Sequence, residues 1–466
     1  MVVQKFGGTS VADPDAIRRL IDIVRSARAG DGRGPAVVVS AMSGVTDALL
    51  QIAATAGSGH THDALARVEQ LRERHLAAAQ ALAGAPEDLV ARIGDHFDEL
   101  SAVVRALAVL KEVSPRTLDV IAALGELLSS RLVTAALQHA GVPAEWVDAR
   151  RVIVTNDDHT RAVPRMRETT AALRAAVVPI LDGGRVPVLG GFVGATENGH
   201  TTTLGRGGSD YSGAIVGAGI DAREIQIWTD VDGMLTADPR VIGAPRLVPA
   251  LSFDEAAELA YFGAKVLHPS TILPAVERNI PVRILNSRNA QGTGTLITAA
   301  GAPSAAPLAA LACKRDVTVV DITSSRMLMA YGFLRQVFEV LEQFRTAVDV
   351  VTTSEVSVSV TVDDRRHLDA IVDALKQYGD VSVESEMALL CAVGDRLRQE
   401  PEIAARVVAV LEEVPLKMIS QAASRRNITV VLRQADLPHA MQRLHQEFFE
   451  SSRRDAGTPV SSGAVQ

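Results

Sequence analysis

The first residues of the chain combine a lysine with two adjacent glycines, a pattern that suits phosphate binding. Lys5 follows the apolar pair Val2-Val3, and Gly7-Gly8 comes directly after it. A strand, a tight glycine turn and a helix start expose backbone N–H groups and the positive end of a helix dipole, which together hold anions. A Gly-Gly turn between a strand and a helix is also common without any ligand, so this stretch alone is compatible with a phosphate-binding loop and with a purely structural turn.

A second glycine-rich loop carries an arginine and an aspartate. Arg206 lies between glycines, and Ser209 and Asp210 follow at the predicted start of a helix. The planar fork of an arginine fits a carboxylate. Asp210 alone is an ordinary helix cap, although a cap does not need glycines around a cation. Two such loops suit phosphoryl transfer, which depends on positioning and on charge neutralisation by cations, Mg²⁺ and backbone donors.

Polar residues follow two predicted strands at the edge where open α/β sheets place their ligands. Ser40 and Thr46 come after the apolar run 36–39, and Thr229 with Asp230 ends a later strand. Thr46 is equally compatible with a helix cap. These positions predict a ligand crevice at the carboxyl ends of the strands.

Glu126 lies in a predicted helix whose other residues are mostly apolar. A carboxylate in that setting is costly unless it is paired. Its partner is either an internal arginine or an amino group on a ligand.

The elements that position these residues follow an α/β pattern. Continuous apolar runs such as 36–39 predict strands buried in a parallel sheet. Residues 58–115 read as a helical insertion. After a linker at 299–310, residues 311–450 twice show a β-α-β-β-α-β order, which predicts two ferredoxin-like modules, and the polar tail 451–466 is expected to be disordered.

Composition excludes several classes of protein. A net charge of -8 gives no support for nucleic-acid or anionic-membrane binding, and a chain of 466 residues should hold two to four domains. Without an 18-residue apolar run or a secretory signal, we expect a cytoplasmic protein. The two cysteines lack metal-type spacing, and His60, His62 and His75 lack companion carboxylates at zinc-site spacing, so no metal site is predicted.

Four motifs in order resemble those of the aspartate kinases, of the amino acid kinase family: 5–10, 202–210, 228–233 and 262–269. The resemblance covers nearly all of residues 1–450. It implies an amino-acid-kinase-type sandwich with a mostly parallel sheet in a catalytic domain at 1–298, followed by two ACT modules of α+β type. The helical insertion and paired ACT modules most resemble the monofunctional, lysine-regulated form.

This resemblance implies ATP-dependent phosphorylation of the L-aspartate side chain to 4-phospho-L-aspartate, the first step towards lysine, threonine and methionine. The acceptor carboxylate is already ionised at pH 7, so no general base is needed. By similarity, Lys5 neutralises the transferring phosphoryl group, and Asp210 orients catalytic groups through Lys5 or Mg²⁺. Arg206 would clamp the substrate α-carboxylate and Glu126 its amino group, with Ser40, Thr46 and Ser209 nearby.

The positions that match the family's ATP site are Lys5, Phe6, Gly7, Gly8, Thr229, Asp230, Leu235, Arg240, Lys265 and Val266. The family often has tyrosine where this chain has Leu235, so ring contact with the nucleotide would be lost. Apolar packing could substitute for it.

The resemblance also implies an effector site in the ACT modules, with lysine as the expected inhibitor and threonine as the competing one. In lysine-sensitive relatives polar side chains stand where this chain has Met329 and Ala330. Asp349 could still take a ligand's ammonium group. An ACT pair that only dimerises is the alternative, and we expect a homodimer or homotetramer. The expected effector positions are Met327, Ala330, Phe333, Leu334, Ala347, Val348, Asp349, Ser354 and Glu355.

Two rival functions fit the same motifs. One is another kinase of the family with a different acceptor, but Glu126 with Arg206 fits an amino acid zwitterion. The other is a non-catalytic amino-acid sensor, against which the presence of Lys5, Arg206 and Asp210 argues.

Overall fold

The computed structural model describes residues 1–31, 34–263, 269–301, 308–327, 331–395, 397, 400–421 and 426–450. The chain divides into two compact units, Met1–Met234 with Val266–Gly301 and Leu235–Lys265 with Ala302–Gln466. The predicted boundaries differ, because they place residues 235–265 in the first domain. The predicted tail at 451–466 lies outside the described residues.

In chain order the strands are β1 (Val2–Phe6), β2 (Ala36–Val39), β3 (Ala144–Val147), β4 (Val154–Thr155), β5 (Val186–Gly190), β6 (Val193–Thr196), β7 (Thr201–Thr203), β8 (Glu224–Thr229), β9 (Ala250–Ser252), β10 (Val282–Asn286), β11 (Thr295–Thr298), β12 (Ala310–Thr323), β13 (Val351–Thr353), β14 (Ser357–Val362), β15 (Asp380–Val393), β16 (Leu416–Gln421) and β17 (Asn427–Arg433).

The α-helices are α1 (Pro14–Asp31), α2 (Val45–Gly57), α3 (Thr61–Ala83), α4 (Glu87–Leu110), α5 (Pro115–His139), α6 (Met166–Ala176), α7 (Val178–Asp182), α8 (Gly208–Gly219), α9 (Phe253–Tyr261), α10 (Leu273–Glu277), α11 (Phe333–Gln343), α12 (Leu368–Leu375), α13 (Pro401–Val410) and α14 (Leu437–His445). Short 3₁₀ turns occupy Gly8–Val11, Ala149–Arg151, Pro269–Ile272, Ser325–Met327 and Gln434–Asp436, and a π-helical turn occupies Gln446–Glu450.

The first unit is built on a mostly parallel sheet, as predicted. Its strands follow the order β3-β5-β2-β1-β8-β10-β11, parallel up to β10 and antiparallel at β11. All four residues of β2 are fully buried, which accounts for its unbroken apolar sequence. Lys5 in β1 lies beside Val38 and Ile227, so it occupies the centre of the sheet.

Helices cover this sheet with the apolar faces that the sequence predicts. Ile17, Leu20 and Val24 of α1 are fully buried, and Asp13 Oδ1 caps the helix by accepting the Ala16 N–H at 2.8 Å. The predicted helical insertion forms α3 and α4, and α3 ends before Gly84, which adopts φ 67°.

Helix α5 is the one helix among the described residues that is long and apolar enough to cross a membrane, although no such run was predicted. Within the protein, 83% of its most apolar window is buried. The helix instead forms part of the core, where it carries Asp119 and Glu126.

The second unit contains a sheet of order β13-β14-β12-β15-β17-β16. The apolar runs at 317–320 and 388–393 are typical of two separate short strands, one in each module. In the structure β12 and β15 have 14 residues each and pair antiparallel along both halves, so each strand serves both modules. The two ferredoxin-like modules therefore share one continuous sheet, and β12 begins at Ala310, inside the predicted linker.

Several short elements differ from the expectation. The strands β6, β7, β9 and β11 were not predicted, because each has only three or four residues, too few to show an alternating pattern. The predicted helix at 169–181 is instead α6 and α7, which break near Pro179. The expected strand at 152–155 shortens to β4 after a 3₁₀ turn.

Candidate active site

A cavity of about 960 Å³ lies at the carboxyl ends of β1, β2 and β8 in the first unit. Its volume is within the range of small-molecule sites. Both glycine-rich loops contribute to its wall, as the sequence predicted. The predicted site residues that line it are Lys5, Gly7, Gly8, Ser40, Thr46, Glu126, Arg206, Ser209, Asp210, Thr229 and Asp230.

Lys5 and Asp210 form an ion pair in this cavity. Lys5 Nζ lies 2.5 Å from Asp210 Oδ1, and both side chains are largely buried. Helix α8, which carries Asp210, packs tightly on β1 at Gly213. A side chain at this position would place its Cβ only 3.1 Å from Lys5 Cβ, so glycine permits the close approach. The ion pair and this close packing hold the lysine in a fixed position at the centre of the cavity wall.

Glu126 reaches the cavity because glycines let α5 approach the strand ends. A Cβ at Gly125 would lie 2.7 Å from Ala41 Cβ, and one at Gly190 would lie 2.9 Å from the Glu126 carbonyl oxygen. Ser129 Oγ also donates to the Ser40 carbonyl at 2.7 Å, which ties α5 to the end of β2.

The carboxyl group of Glu126 is buried and only partly satisfied. Its Oε2 has no hydrogen-bond partner among the described residues. Burial raises its pKa to about 8, against the opposing effects of the Ala41 backbone and the charge of Lys5. The internal arginine that the sequence left open as a partner is not found among the described residues, and the remaining alternative is an amino group on a ligand.

Arg206 is exposed and forms no ion pair within the described part of the chain. It lies in the turn between β7 and α8, with Gly205 at φ 77° and Gly207 at φ 70°, both in the left-handed region. Ser209 and Asp210 occupy the first turn of α8, whose backbone N–H groups are a favourable site for anions. A free guanidinium thus faces the same cavity as the partly satisfied Glu126.

Five further positions were predicted for the ATP site. Phe6 is fully buried, and its ring stacks on Trp228 with 6.0 Å between centroids, so its side chain belongs to the core. Leu235 and Arg240 belong to the second unit, where Arg240 makes a two-pronged ion pair with Asp238. Lys265 and Val266 lie outside the described residues.

The cavity wall also contains residues that were not predicted as site residues, among them Asp119, Thr160, Phe192 and Thr203. Asp119 is fully buried and precedes Glu126 by seven residues, which places both carboxyl groups on one face of α5. That spacing was visible in the sequence. Thr160 and Phe192 carried no such signal, because their positions depend on how the loops fold back.

The expected effector positions lie in the second unit. Met327, Phe333 and Val348 belong to one hydrophobic cluster. Leu334, Ala347, Ser354 and Glu355 are exposed, and Ala330 lies outside the described residues.

Asp349, expected to take a ligand's ammonium, is paired within the chain. Both its carboxylate oxygens lie 2.9 Å from Lys314 Nζ, which also lies 2.7 Å from Asp363. Burial opposes the charged form of Lys314, but hydrogen bonds to Asp363 and Asp349 outweigh it and raise the Lys314 pKa. The Lys314 ammonium group is therefore bound to the Asp349 carboxylate, the group that an effector's ammonium would need.

No group of three or more His, Cys, Asp or Glu residues in the described ranges is arranged to hold a metal ion. Mg²⁺ usually binds through one or two carboxylates together with substrate phosphates. The cavity offers Asp210 and Asp230, which fit that mode.

Comparison with known proteins extends the resemblance. Residues 1–286 match the amino acid kinase family and residues 390–448 match the ACT domain. The chain is 36% identical to lysine-sensitive aspartokinase 3 of Escherichia coli (strain K12), over 97% of this chain and 99% of that protein. Its fold is similar to E. coli aspartokinase III in complex with lysine and aspartate (TM-score 0.82) and in complex with aspartate and ADP (TM-score 0.81), each at 36% identity over 97% of this chain and all of the other.

Proposed function

The chain belongs to the amino acid kinase family as an aspartokinase, and from this premise we propose how its cavity phosphorylates the side-chain carboxylate of L-aspartate with ATP. One observation carries the proposal. A paired ammonium (Lys5), a free guanidinium (Arg206) and a partly satisfied buried carboxyl group (Glu126) face one cavity large enough for two substrates. The cations suit phosphate and carboxylate groups, and the carboxyl group suits an ammonium.

Lys5 acts on the transferring phosphoryl group. In the loose transition state of phosphoryl transfer, negative charge spreads over the equatorial oxygens, and a fixed cation stabilises it without reorganisation. Asp210 holds the Lys5 ammonium at 2.5 Å and so fixes its direction. The Gly7 N–H is already donated to the Trp228 carbonyl at 2.9 Å, so the backbone N–H of Gly8 is the further donor at this edge of the sheet.

Arg206 and Glu126 position the aspartate. Arg206 grips the α-carboxylate, Glu126 in its ionised form accepts the α-ammonium group, and Ser209 lies beside Arg206. Ser40 and Thr46 line the opposite loop and offer hydroxyls to the side-chain carboxylate. That carboxylate is ionised at neutral pH and attacks the γ-phosphorus directly, the bond from the γ-phosphorus to the β–γ bridging oxygen breaks, and ADP leaves, so the site needs no general base.

The nucleotide binds along Gly7, Gly8, Thr229 and Asp230, all of which line the cavity. Asp210 and Asp230 would hold Mg²⁺ together with the phosphates, and the ion would neutralise part of the phosphate charge. The crystal structure of the E. coli enzyme with aspartate and ADP supports the nucleotide as substrate.

Lysine inhibits through the ACT modules, in keeping with the lysine-sensitive relative and with the E. coli structure that holds lysine. Asp349 binds the effector's ammonium group once Lys314 has moved from it. Because ACT modules commonly pair between chains, the active protein is a homodimer or homotetramer. Its location is cytoplasmic, where ATP and aspartate are available.

The test is an ATP-dependent aspartyl-hydroxamate assay with matched acceptors. L-Aspartate should give product, whereas succinate, which lacks the ammonium, and β-alanine, which lacks the α-carboxylate, should each be much poorer. Lysine and threonine are titrated separately, and lysine should inhibit. Activity with another acceptor and none with aspartate would refute the substrate assignment, and lysine binding without any kinase activity would favour a sensor.

A further inference from the structure

Asp119 is a buried carboxyl group of the cavity wall to which the proposed reaction gives no role. Oδ1 lies 2.5 Å from the Thr203 hydroxyl, and Oδ2 lies 2.6 Å from His159 Nδ1. Both oxygens also accept the backbone N–H of Thr160, at 3.0 and 3.1 Å. One side chain on α5 thus holds the loop around Thr160 and the last residue of β7.

Thr160 has an unfavourable backbone conformation that these contacts maintain. Its φ is 72°, in the left-handed region, which a β-branched residue rarely adopts. Such a conformation persists only where the surroundings impose it, and it is found most often at functional sites. The double acceptance of the Thr160 N–H by Asp119 is a contact that imposes it.

The loop around Thr160, which Asp119 holds, packs directly against the turn that carries Arg206. A Cβ at Gly205 would lie 3.2 Å from the Thr160 carbonyl oxygen, so the two backbones are in close contact. The Ala162 N–H also donates to the Thr203 carbonyl at 2.9 Å, two residues before Gly205. Asp119 therefore fixes the backbone that leads into Arg206 through two contacts, one with Thr160 and one with Thr203.

On its other side, the turn that carries Arg206 packs against Phe192, a second residue in a left-handed conformation. Phe192 has φ 64°, and a Cβ at Gly208 would lie 2.6 Å from its ring. The Phe192 N–H donates to Ser212 Oγ of α8 at 2.9 Å. The turn is thus enclosed by two residues in left-handed conformations, and Asp119 anchors one of them.

We propose that Asp119 is a positioning residue that orients Arg206 for the substrate α-carboxylate by holding Thr160 and Thr203. This inference rests on the proposed function and adds a residue that acts through another. Asp119 itself does not contact substrate in this scheme. Its loss should therefore affect aspartate binding more than ATP binding or overall folding.

The experiment compares Asp119→Ala, Asp119→Asn and Thr203→Val with wild type by steady-state kinetics and thermal denaturation. Misplacement of a binding group by about 1 Å can cost up to ~100-fold, so Asp119→Ala should raise the KM for aspartate roughly 10- to 100-fold while the KM for ATP is unchanged. Asp119→Asn keeps one acceptor and should be intermediate. Thr203→Val provides an independent variant should Asp119→Ala fail to fold, and Thr134→Val, buried on α5 away from the cavity, is the matched control.

A double-mutant cycle with Arg206→Lys separates positioning from general destabilisation. If Asp119 acts through Arg206, the combined variant should be little worse than Arg206→Lys alone. Additive effects, or equal increases in the KM for aspartate and for ATP, would overturn the role of Asp119. A wild-type protein that does not phosphorylate aspartate would instead overturn the proposed function.

Discussion

The buried Glu126 predicts that aspartate binding releases a proton. With its pKa raised to about 8 in the free protein, Glu126 is about 90% protonated at pH 7, yet it must ionise to accept the substrate ammonium. The apparent affinity falls in proportion to the ionised fraction, about 1% at pH 6 and about 50% at pH 8. Aspartate should therefore bind roughly 50-fold more tightly at pH 8 than at pH 6, with about 0.9 proton released per aspartate at pH 7.

Glu126→Gln should remove this dependence. A hydrogen bond to a charged group contributes about 1.5–3 kcal/mol, but deprotonation costs the wild type about 1.4 kcal/mol at pH 7 and about 0.4 kcal/mol at pH 8. The substitution should thus weaken binding by about 0.1–1.6 kcal/mol at pH 7 and by about 1.1–2.6 kcal/mol at pH 8.

Isothermal titration of aspartate, without nucleotide and in buffers of different ionisation enthalpy, measures both the affinity for aspartate and the number of protons released on binding. Glu73→Gln, on the exposed surface of α3, is the matched control. Equal wild-type affinity at pH 6 and pH 8 with no proton exchange would show that Glu126 does not meet the ammonium.

Three further predictions concern catalysis, regulation and packing. Lys5→Ala should lower kcat by about 100- to 1000-fold, and combining it with Asp210→Asn should lose less than the product of the two single losses, because the two side chains act as a pair; losses that multiply fully in single-turnover rates would refute this. Lys314→Met should free Asp349 and lower the lysine concentration for half-inhibition, whereas Asp349→Asn should raise it; an unchanged inhibition curve for both variants would exclude Asp349 as the effector's contact. Gly125→Ala should destabilise the protein by about 1–3 kcal/mol, less any gain in helix propensity, because its Cβ would lie 2.7 Å from Ala41 Cβ. Gly94→Ala, with open space around it in α4, should stabilise by about 0.5–1 kcal/mol, and chemical denaturation showing the same sign for both would contradict the packing.

The parallel sheet and its crevice could be predicted because their signals are local. The apolar run of β2 and the Gly7-Gly8 turn after β1 specify buried strands and a sharp turn whatever surrounds them. The same holds for Glu126, whose apolar neighbours on α5 already required a partner. Motifs in a fixed order then identified the two loops that meet in the cavity.

What the sequence did not predict depends on contacts between distant segments. Asp119 gains its role only because Thr160 and Thr203, 41 and 84 residues further on, fold back onto it. The shared strands β12 and β15 escaped prediction because each continues through residues whose pattern changes midway. Lys314 and Asp349 likewise form their ion pair only because the fold of the second unit brings them together.

The most direct test of the central claim is a crystal structure of the protein with aspartate and a non-hydrolysable ATP analogue. We predict that the α-carboxylate lies on Arg206, the ammonium on Glu126, and a side-chain carboxylate oxygen about 3–3.5 Å from the γ-phosphorus, with Lys5 on the γ-phosphate. Aspartate in another cleft, or bound with its side-chain carboxylate on Arg206 and its α-carboxylate towards the phosphate, would contradict it.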